Sequence, residues 1–484
     1  MTEPEGHFTR VLGNRDVIAL AFGAMIGWGW VVLVGNWVNS AGSMGAMLAF
    51  LIGGIAVVFI GLTYAELAAA MALTGGEHGY SYRALGVDAS FVCTWAIVLG
   101  YVSVVAFEAV ALPTVLDHLI PGYQWGYLWT VAGWDVYLTW ALVGMIGSVV
   151  MTWINIRGIQ TAAIFQAVVT VLILIGGLFL MVGGVTLGDP VHLEPLFVDG
   201  AKGLMAVLIM TPFMFVGFDV IPQAAEEINL PYKQIGKLLI FSVVLAVFWY
   251  ILIILACSLA LDATALEASS LATADSASAL FATPLAGKLI VLAGIGGILT
   301  SWNAFYIGGS RAIYALAHAR MLPEWLGRLH PKYNTPVNAI LLIGALSVAA
   351  PLFGRKAMVW LVDAGGLGIV VAYGMVAISF LVLRRREPDM PRPFLVPNGQ
   401  FVGWAAVVLS AGLFVLYLPP SPAALVWPQE WAIAGGWAVV GAVLYLWARA
   451  RHGAGESASI IDAELRAGHT DIDASRAGAA TPAQ

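Results

Sequence analysis

The sequence predicts an all-α polytopic membrane protein of twelve transmembrane helices. It is expected to be a 5+5 inverted repeat in which helices 1 and 6 are discontinuous. Three observations carry this. Of 484 residues, 60% are hydrophobic and only 10% charged, where soluble domains average about 25% charged. Twelve apolar runs approach the roughly 20 residues that cross a bilayer. Two of these runs, at corresponding places in two halves, are interrupted by glycines, a proline or a carboxylate. Backbone groups freed in hydrocarbon are costly, so such breaks survive only where they line a cavity. Paired breaks point to a carrier's midplane site.

The elements follow in order. Residues 1–15 form the N-terminal segment; they lack a basic stretch and a small-residue cleavage site, so the first span is retained. The spans lie near 16–38, 45–72, 91–117, 137–155, 161–184, 203–225, 235–260, 287–318, 336–353, 358–383, 402–419 and 430–449. The first repeat covers 16–185 and the second 203–384. An odd number of spans per repeat inverts the second copy. Spans 11 and 12, within 400–449, lie outside the repeats and are candidates for lipid packing or oligomer contact. The tail, 450–484, is rich in Ala, Gly, Ser, Asp and Glu and is expected to be a disordered cytoplasmic appendage.

Basic residues orient the chain. With the N-terminus inside, only Lys202, Lys288, Arg355 and Lys356 of the 22 Lys and Arg residues fall outside. This bias places both termini in the cytoplasm and the protein, multi-pass, in the cell membrane. Net charge −6 and the lack of a basic stripe exclude a nucleic-acid partner. Cys93 and Cys257 sit in apolar stretches and read as buried thiols. His78, His318 and His330 show no metal-ligand spacing, so no metal or cofactor is expected. The chain has no Gly-x-Ser-x-Gly, His-Glu-x-x-His or phosphate-binding loop, which argues against an enzyme and against an ATP-driven pump.

The first break reads GAMIGWG over Gly23–Gly29. Span 2 ends in YAEL (64–67), followed by Gly75, Gly76 and Tyr80. Span 6 gives FVGFD (215–219), then AEEINLP (225–231). Span 8 gives SWN (301–303) and SRAIYALA (310–317), with Asn334-Thr-Pro336 and Arg392-Pro-Phe394 after it. In this order the set resembles the amino acid–polyamine–organocation permeases, with their leucine-transporter-like fold. The resemblance runs from about residue 15 to 400. It implies a secondary transporter that moves a small amino acid or organic amine by alternating access.

The candidate substrate-binding residues are Gly23, Ala24, Met25, Ile26, Gly27, Trp28, Gly29, Phe107, Glu108, Phe213, Gly217 and Trp302. Glycines let backbone groups approach a ligand, and the half-helix that follows turns its positive end toward an anionic group. In the resembling family that group is typically a carboxylate. Trp28 stands where the family usually has a small or hydroxyl residue. It either fills space meant for the ligand, offers a π face to a cation, or packs between helices with Trp30. The family often keeps a gating aromatic at the position of Phe213.

Asp219 and Glu108 are carboxylates within apolar spans, and ionisable groups there are functional candidates by default. Asp219 is a proton carrier or a cap for freed amides. Glu108 reads a substrate ammonium, carries a proton, or joins a buried pair. Thr300 and Ser301 offer hydroxyls of the kind that hold sodium beside span 1. Proton-coupled relatives often carry a lysine in span 5, and none is present here. The coupling ion is therefore expected to be a proton on Asp219 or Glu108, with sodium coupling or substrate exchange as alternatives. A channel or a non-pumping receptor is the alternative from another class. Glu66, Glu77, Glu226, Glu227 and Arg311 gather at inner span ends. They are candidates for an inner gate, with Glu77 read as solvated.

Overall fold

The computed structural model describes residues 10–479 apart from Ala72, Pro121 and Ser270. Residues 1–9 of the N-terminal segment and 480–484 of the tail lie outside the described residues. Eleven helices among the described residues are long and apolar enough to cross a membrane. They are Asn14–Val32, Ser43–Ala70, Val87–Leu116, Leu138–Ile156, Ile164–Leu187, Gly200–Gln223, Tyr232–Ala260, Pro284–His318, Ala357–Arg386, Gly399–Leu416 and Gln429–Ala467. A shorter apolar helix, Val337–Phe353, stands in the ninth place. They are numbered here as spans 1–12 in chain order, and they match the twelve expected runs.

Spans 1 and 6 are both discontinuous. Span 1 is helical over Asn14–Met25, loses helical geometry at Ile26 and resumes as Gly29–Val32. Span 6 is helical over Gly200–Leu208 and Thr211–Phe215, turns extended at Val216, and resumes as Val220–Gln223. Pro212 sits in the first turn of its short helix, where the missing amide costs nothing. Gly217 has φ +137°, a conformation closed to residues with a Cβ. A Cβ there would lie 2.7 Å from the Ala24 Cβ and 2.9 Å from the Met25 nitrogen. The two breaks are thus in direct contact at the centre of the bundle. Span 3 packs on spans 8 and 10, span 8 also on spans 1 and 5, and span 7 on span 2.

The first turns of spans 1, 3, 7 and 9 share one end of the bundle with the N-terminal segment, called here the N-terminal face. Val11 and Leu12 pair with the strand-like segment after span 6: Leu12 bridges Ile228 in parallel, and the Leu12 amide donates to the Glu227 carbonyl at 2.9 Å. A linker helix, Glu77–Leu85, follows span 2 on this face.

Two parts differ from the sequence expectation. Between spans 3 and 4 the chain forms a hairpin, Tyr127–Val131 with Trp134–Tyr137, beside an otherwise helical fold. Ala132 and Gly133 both have positive φ, the two-residue turn that matches strand twist. The tail, expected as disordered from 450 onward, continues as helix from span 12 through Ala479, with a kink at Gly453 (φ 74°). The kink turns the helix across the N-terminal face and buries Ile461 and Leu465. Composition counted few apolar residues there, but these two lie four apart on one face and find a surface to cover.

Candidate functional site

The unwound residues of span 1 rest on span 3 and span 8. The Ser301 hydroxyl donates to Oε1 of Glu108. A Cβ on Gly27 would lie 2.6 Å from Ser301 Oγ and 2.8 Å from Glu108 Oε1. Only glycine lets the backbone come this close to the pair. The other carboxylate oxygen of Glu108 is buried without a hydrogen-bond partner. Glu108 therefore faces the break rather than lipid, and its polar neighbour comes from span 8, not from its own helix. The Tyr250 hydroxyl of span 7 donates to the Met25 carbonyl at 2.7 Å. Ile26 closes the first half-helix, its amide donating to the Phe22 carbonyl at 3.0 Å. Gly29 abuts Met214 of span 6, whose sulfur would be 2.5 Å from an added Cβ.

Asp219 holds the second break together. Its Oδ1 accepts from the Gly217 amide at 2.7 Å, and its Oδ2 accepts from the Tyr101 hydroxyl at 2.6 Å. Of the two sequence readings, capping of freed amides is the one these contacts display. Glu108 and Asp219 are thus separate sites: one against the first break, the other beneath the second.

Among the aromatics, Phe107 and Phe213 meet edge-on with centroids 5.7 Å apart, so the structure brings these two candidates together. Trp28 turns toward span 8, where a Cβ on Gly294 would come within 2.2 Å of its ring. Trp30 stacks edge-on with Trp249 at 5.5 Å. The Trp302 ring lies against Gly147 of span 4. All three indoles are buried between helices, which for Trp28 and Trp30 is the packing alternative.

Thr300 donates to the Gly23 carbonyl at 3.0 Å, so it tethers the first half-helix of span 1 to span 8. A Cβ on Gly23 would meet Thr170 and Gln166 of span 5. Gln166 donates to the Ala19 carbonyl at 3.2 Å and accepts from Asn303 at 3.1 Å, and Asn303 accepts from Asn155 at 3.2 Å. Span 5 carries no lysine; its Gln166 instead joins a neutral amide relay across spans 1, 4, 5 and 8. The sequence reading named Asn303 but missed Gln166, Asn155, Tyr101 and Tyr250. Two signals were available: Gln166 is a lone amide in an apolar run, and Tyr101 lies two turns before Glu108 on the same helix face.

At the N-terminal face, Arg311 and Glu227 form a buried ion pair at 2.9 Å between span 8 and the loop after span 6. Glu66 is fully buried and pairs with Arg384 and Arg392. The solvated reading of Glu77 is corrected: this side chain is 0% exposed. Gly76, with φ +36°, turns the chain so that the linker helix starts against Pro222 and drives Glu77 inward, where its Oε2 accepts from Gln223. Burial pushes its carboxyl well above the usual range, and the Asp219 charge adds to this.

Two broken helices in contact, with a buried acid beside each, set among apolar spans, define a multi-pass membrane transport protein. The family model for amino acid permeases matches residues 16–422, and the chain belongs to this family. It is 27% identical over 429 residues to the branched-chain amino acid permease BcaP of Bacillus subtilis, covering 86% of this chain and 89% of that protein. It is 25% identical over 451 residues to the methylthioribose transporter of the same organism, covering 92% and 94%. It is 25% identical over 429 residues to the vacuolar cationic amino acid transporter 8 of Arabidopsis thaliana, covering 85% and 69%.

Proposed function

We propose that this permease moves a small amino acid or related organic amine across the cell membrane by alternating access, with its N-terminal face in the cytoplasm and its halves related as inverted repeats. One observation carries the reading: Glu108 is pressed on the Gly27 backbone at the first break with one oxygen unpartnered. A buried carboxylate oxygen without a partner is costly, and a cargo ammonium offsets that cost directly. The cargo carboxylate takes the amides and positive helix end of the broken segment. Phe107 and Phe213 cover the cargo, and Gly23 to Gly29 with Gly217 supply the backbone. The relatives' names, which point to branched-chain and cationic amino acids and, in one case, methylthioribose, support an amino acid more than they do any one side chain.

Coupling runs on a proton in this reading, since Asp219 and its neighbours are titratable. Thr300 and Ser301 keep sodium as the alternative ion. The test is counterflow in proteoliposomes: unlabelled internal amino acid accelerates entry of labelled amino acid through a carrier, but not through a channel. Glu108→Gln is expected to lower the rate at least tenfold for amino acids. Equal rates in wild type and Glu108→Gln would refute the ammonium assignment.

A further inference from the structure

Beneath the second break lies a cluster of oxygens that the cargo reading leaves unused. Glu77 Oε1, Gln223 Oε1 and the hydroxyls of Tyr64, Tyr80 and Tyr373 are all buried, with the Tyr64 hydroxyl turned to Glu77 and that of Tyr373 to Asp219. They converge from the linker helix, span 2, span 6 and span 10. Tyr64 and Tyr373 stand edge-on at 5.7 Å and both enclose Phe218, and each feels the charges of Glu77 and Asp219. Tyrosine hydroxyls can donate to these carboxylates, but a carboxylate enclosed this way still carries a charge that no cation among the described residues offsets.

Few charges face this cluster. From span 3 come Cys93 and Tyr101, the latter bound to Asp219. From the linker helix comes His78, whose ring turns away to Ser90 of span 3 at 2.9 Å. From span 8 comes Arg311, engaged by Glu227. The tail meets the linker helix at its other end, through Tyr82 and Asp462. Among the described residues, no cationic side chain pairs with Glu77 or Asp219. Two carboxylates enclosed together without a cation ionise together only at a cost, so the doubly charged pair readily takes a proton back.

We infer that Glu77 and Asp219 hold one exchangeable proton between them, and that Glu77 is the member that trades it with water at the N-terminal face. The Glu77 O–H bond breaks on release, its electron pair stays on the carboxylate, and the proton passes to water reaching past Gly76. Asp219 keeps its hydrogen bonds to Gly217 and Tyr101 throughout, so the second break stays capped while charge is gained or lost on Glu77, which is held by Gln223 one turn further along span 6. This pair is distinct from Glu108 and Ser301, and it rests on the proton-coupled reading above.

The experiment uses the full chain in proteoliposomes with labelled amino acid, comparing uptake driven by an imposed pH gradient with gradient-free counterflow. Glu77→Gln is expected to lose gradient-driven accumulation at least tenfold while counterflow stays within about twofold of wild type. Glu77→Asp is expected to restore accumulation with a displaced pH profile. If wild type accumulates nothing under a pH gradient, the coupled reading and this inference fall together. If wild type accumulates and Glu77→Gln does so equally, the inference alone is overturned. Should Glu77→Gln fail to fold, difference infrared spectroscopy of wild type and Glu77→Asp decides. A protonated-carboxyl band that titrates and moves in Glu77→Asp supports the pair, and a band that does not move overturns it.

Discussion

Gly27 is the residue on which the first break turns. Its backbone occupies space that any Cβ would contest with Ser301 and Glu108, both within 2.8 Å of the added atom. Gly27→Ala is therefore expected to cost about 1–3 kcal/mol through overpacking and to abolish uptake. Thermal unfolding and counterflow of the same preparation check this, and a variant with unchanged melting and transport would show the contact to be slack. The residue-level reading of the sequence was strongest where chemistry is expensive. Gly27, Glu108 and Asp219 stood out because hydrocarbon punishes both bare backbone and carboxylates. It was weakest for direction. Trp28 was visible as an oddity, but nothing in the string says that its ring turns to Gly294 instead of the ligand space. That depends on a glycine 266 positions away, which only folding brings opposite.

At the scale of elements, the broken helices were legible because Gly and Pro interrupt apolar runs, whereas the linker helix was not. Glu77–Leu85 is short and polar by sequence, yet Glu77, His78, Tyr80 and Ser81 are all buried, because the helix is wedged among spans 3, 8 and 10 and the tail. Local composition cannot show a surface supplied by four other elements, three of them distant in sequence. His78 gives this helix a pH signature. Burial, with His318 adding to it, lowers its imidazole from the ordinary 6.5 to about 4, so the folded protein prefers the neutral ring. The resulting stability is fully present above the unfolded value of 6.5 and is lost as pH falls toward 4. A difference of this size is worth about 3 kcal/mol. The melting temperature is expected to drop across this window in wild type and to fall less steeply in His78→Gln, which keeps a polar partner for Ser90 without a titrating ring. Parallel pH curves for the two proteins would contradict the assignment. The tail repeats the lesson: Ile461 and Leu465 are too few to predict order, but enough to fix a helix once the N-terminal face lies beneath it.

At the scale of the whole molecule, orientation follows from charge. The excess of Lys and Arg on the N-terminal face predicts that it lies in the cytoplasm. Both native cysteines are buried, so single introduced thiols report cleanly. In intact cells a membrane-impermeant maleimide is expected to label Lys202→Cys and to spare Arg385→Cys until the membrane is opened. The reverse pattern would invert the topology. The count of spans and the two breaks were readable in the sequence because both are one-dimensional signals. The contact between the breaks was not, since it joins residues 24 and 217.

The backbone pairing of Val11 and Leu12 with Glu227 and Ile228 then acquires a mechanical meaning. Spans 1 and 6 are clasped at mid-depth, Ala24 on Gly217, and again at one end, Leu12 beside Ile228. Two clasps on one pair of rods remove the freedom to pivot independently. In the proposed reading the broken helices act as a single lever, with the cargo seat at its middle and a handle at the N-terminal segment. A force applied to residues 10–12 reaches the breaks directly along span 1 and, through Ile228, by way of the short segment that follows span 6.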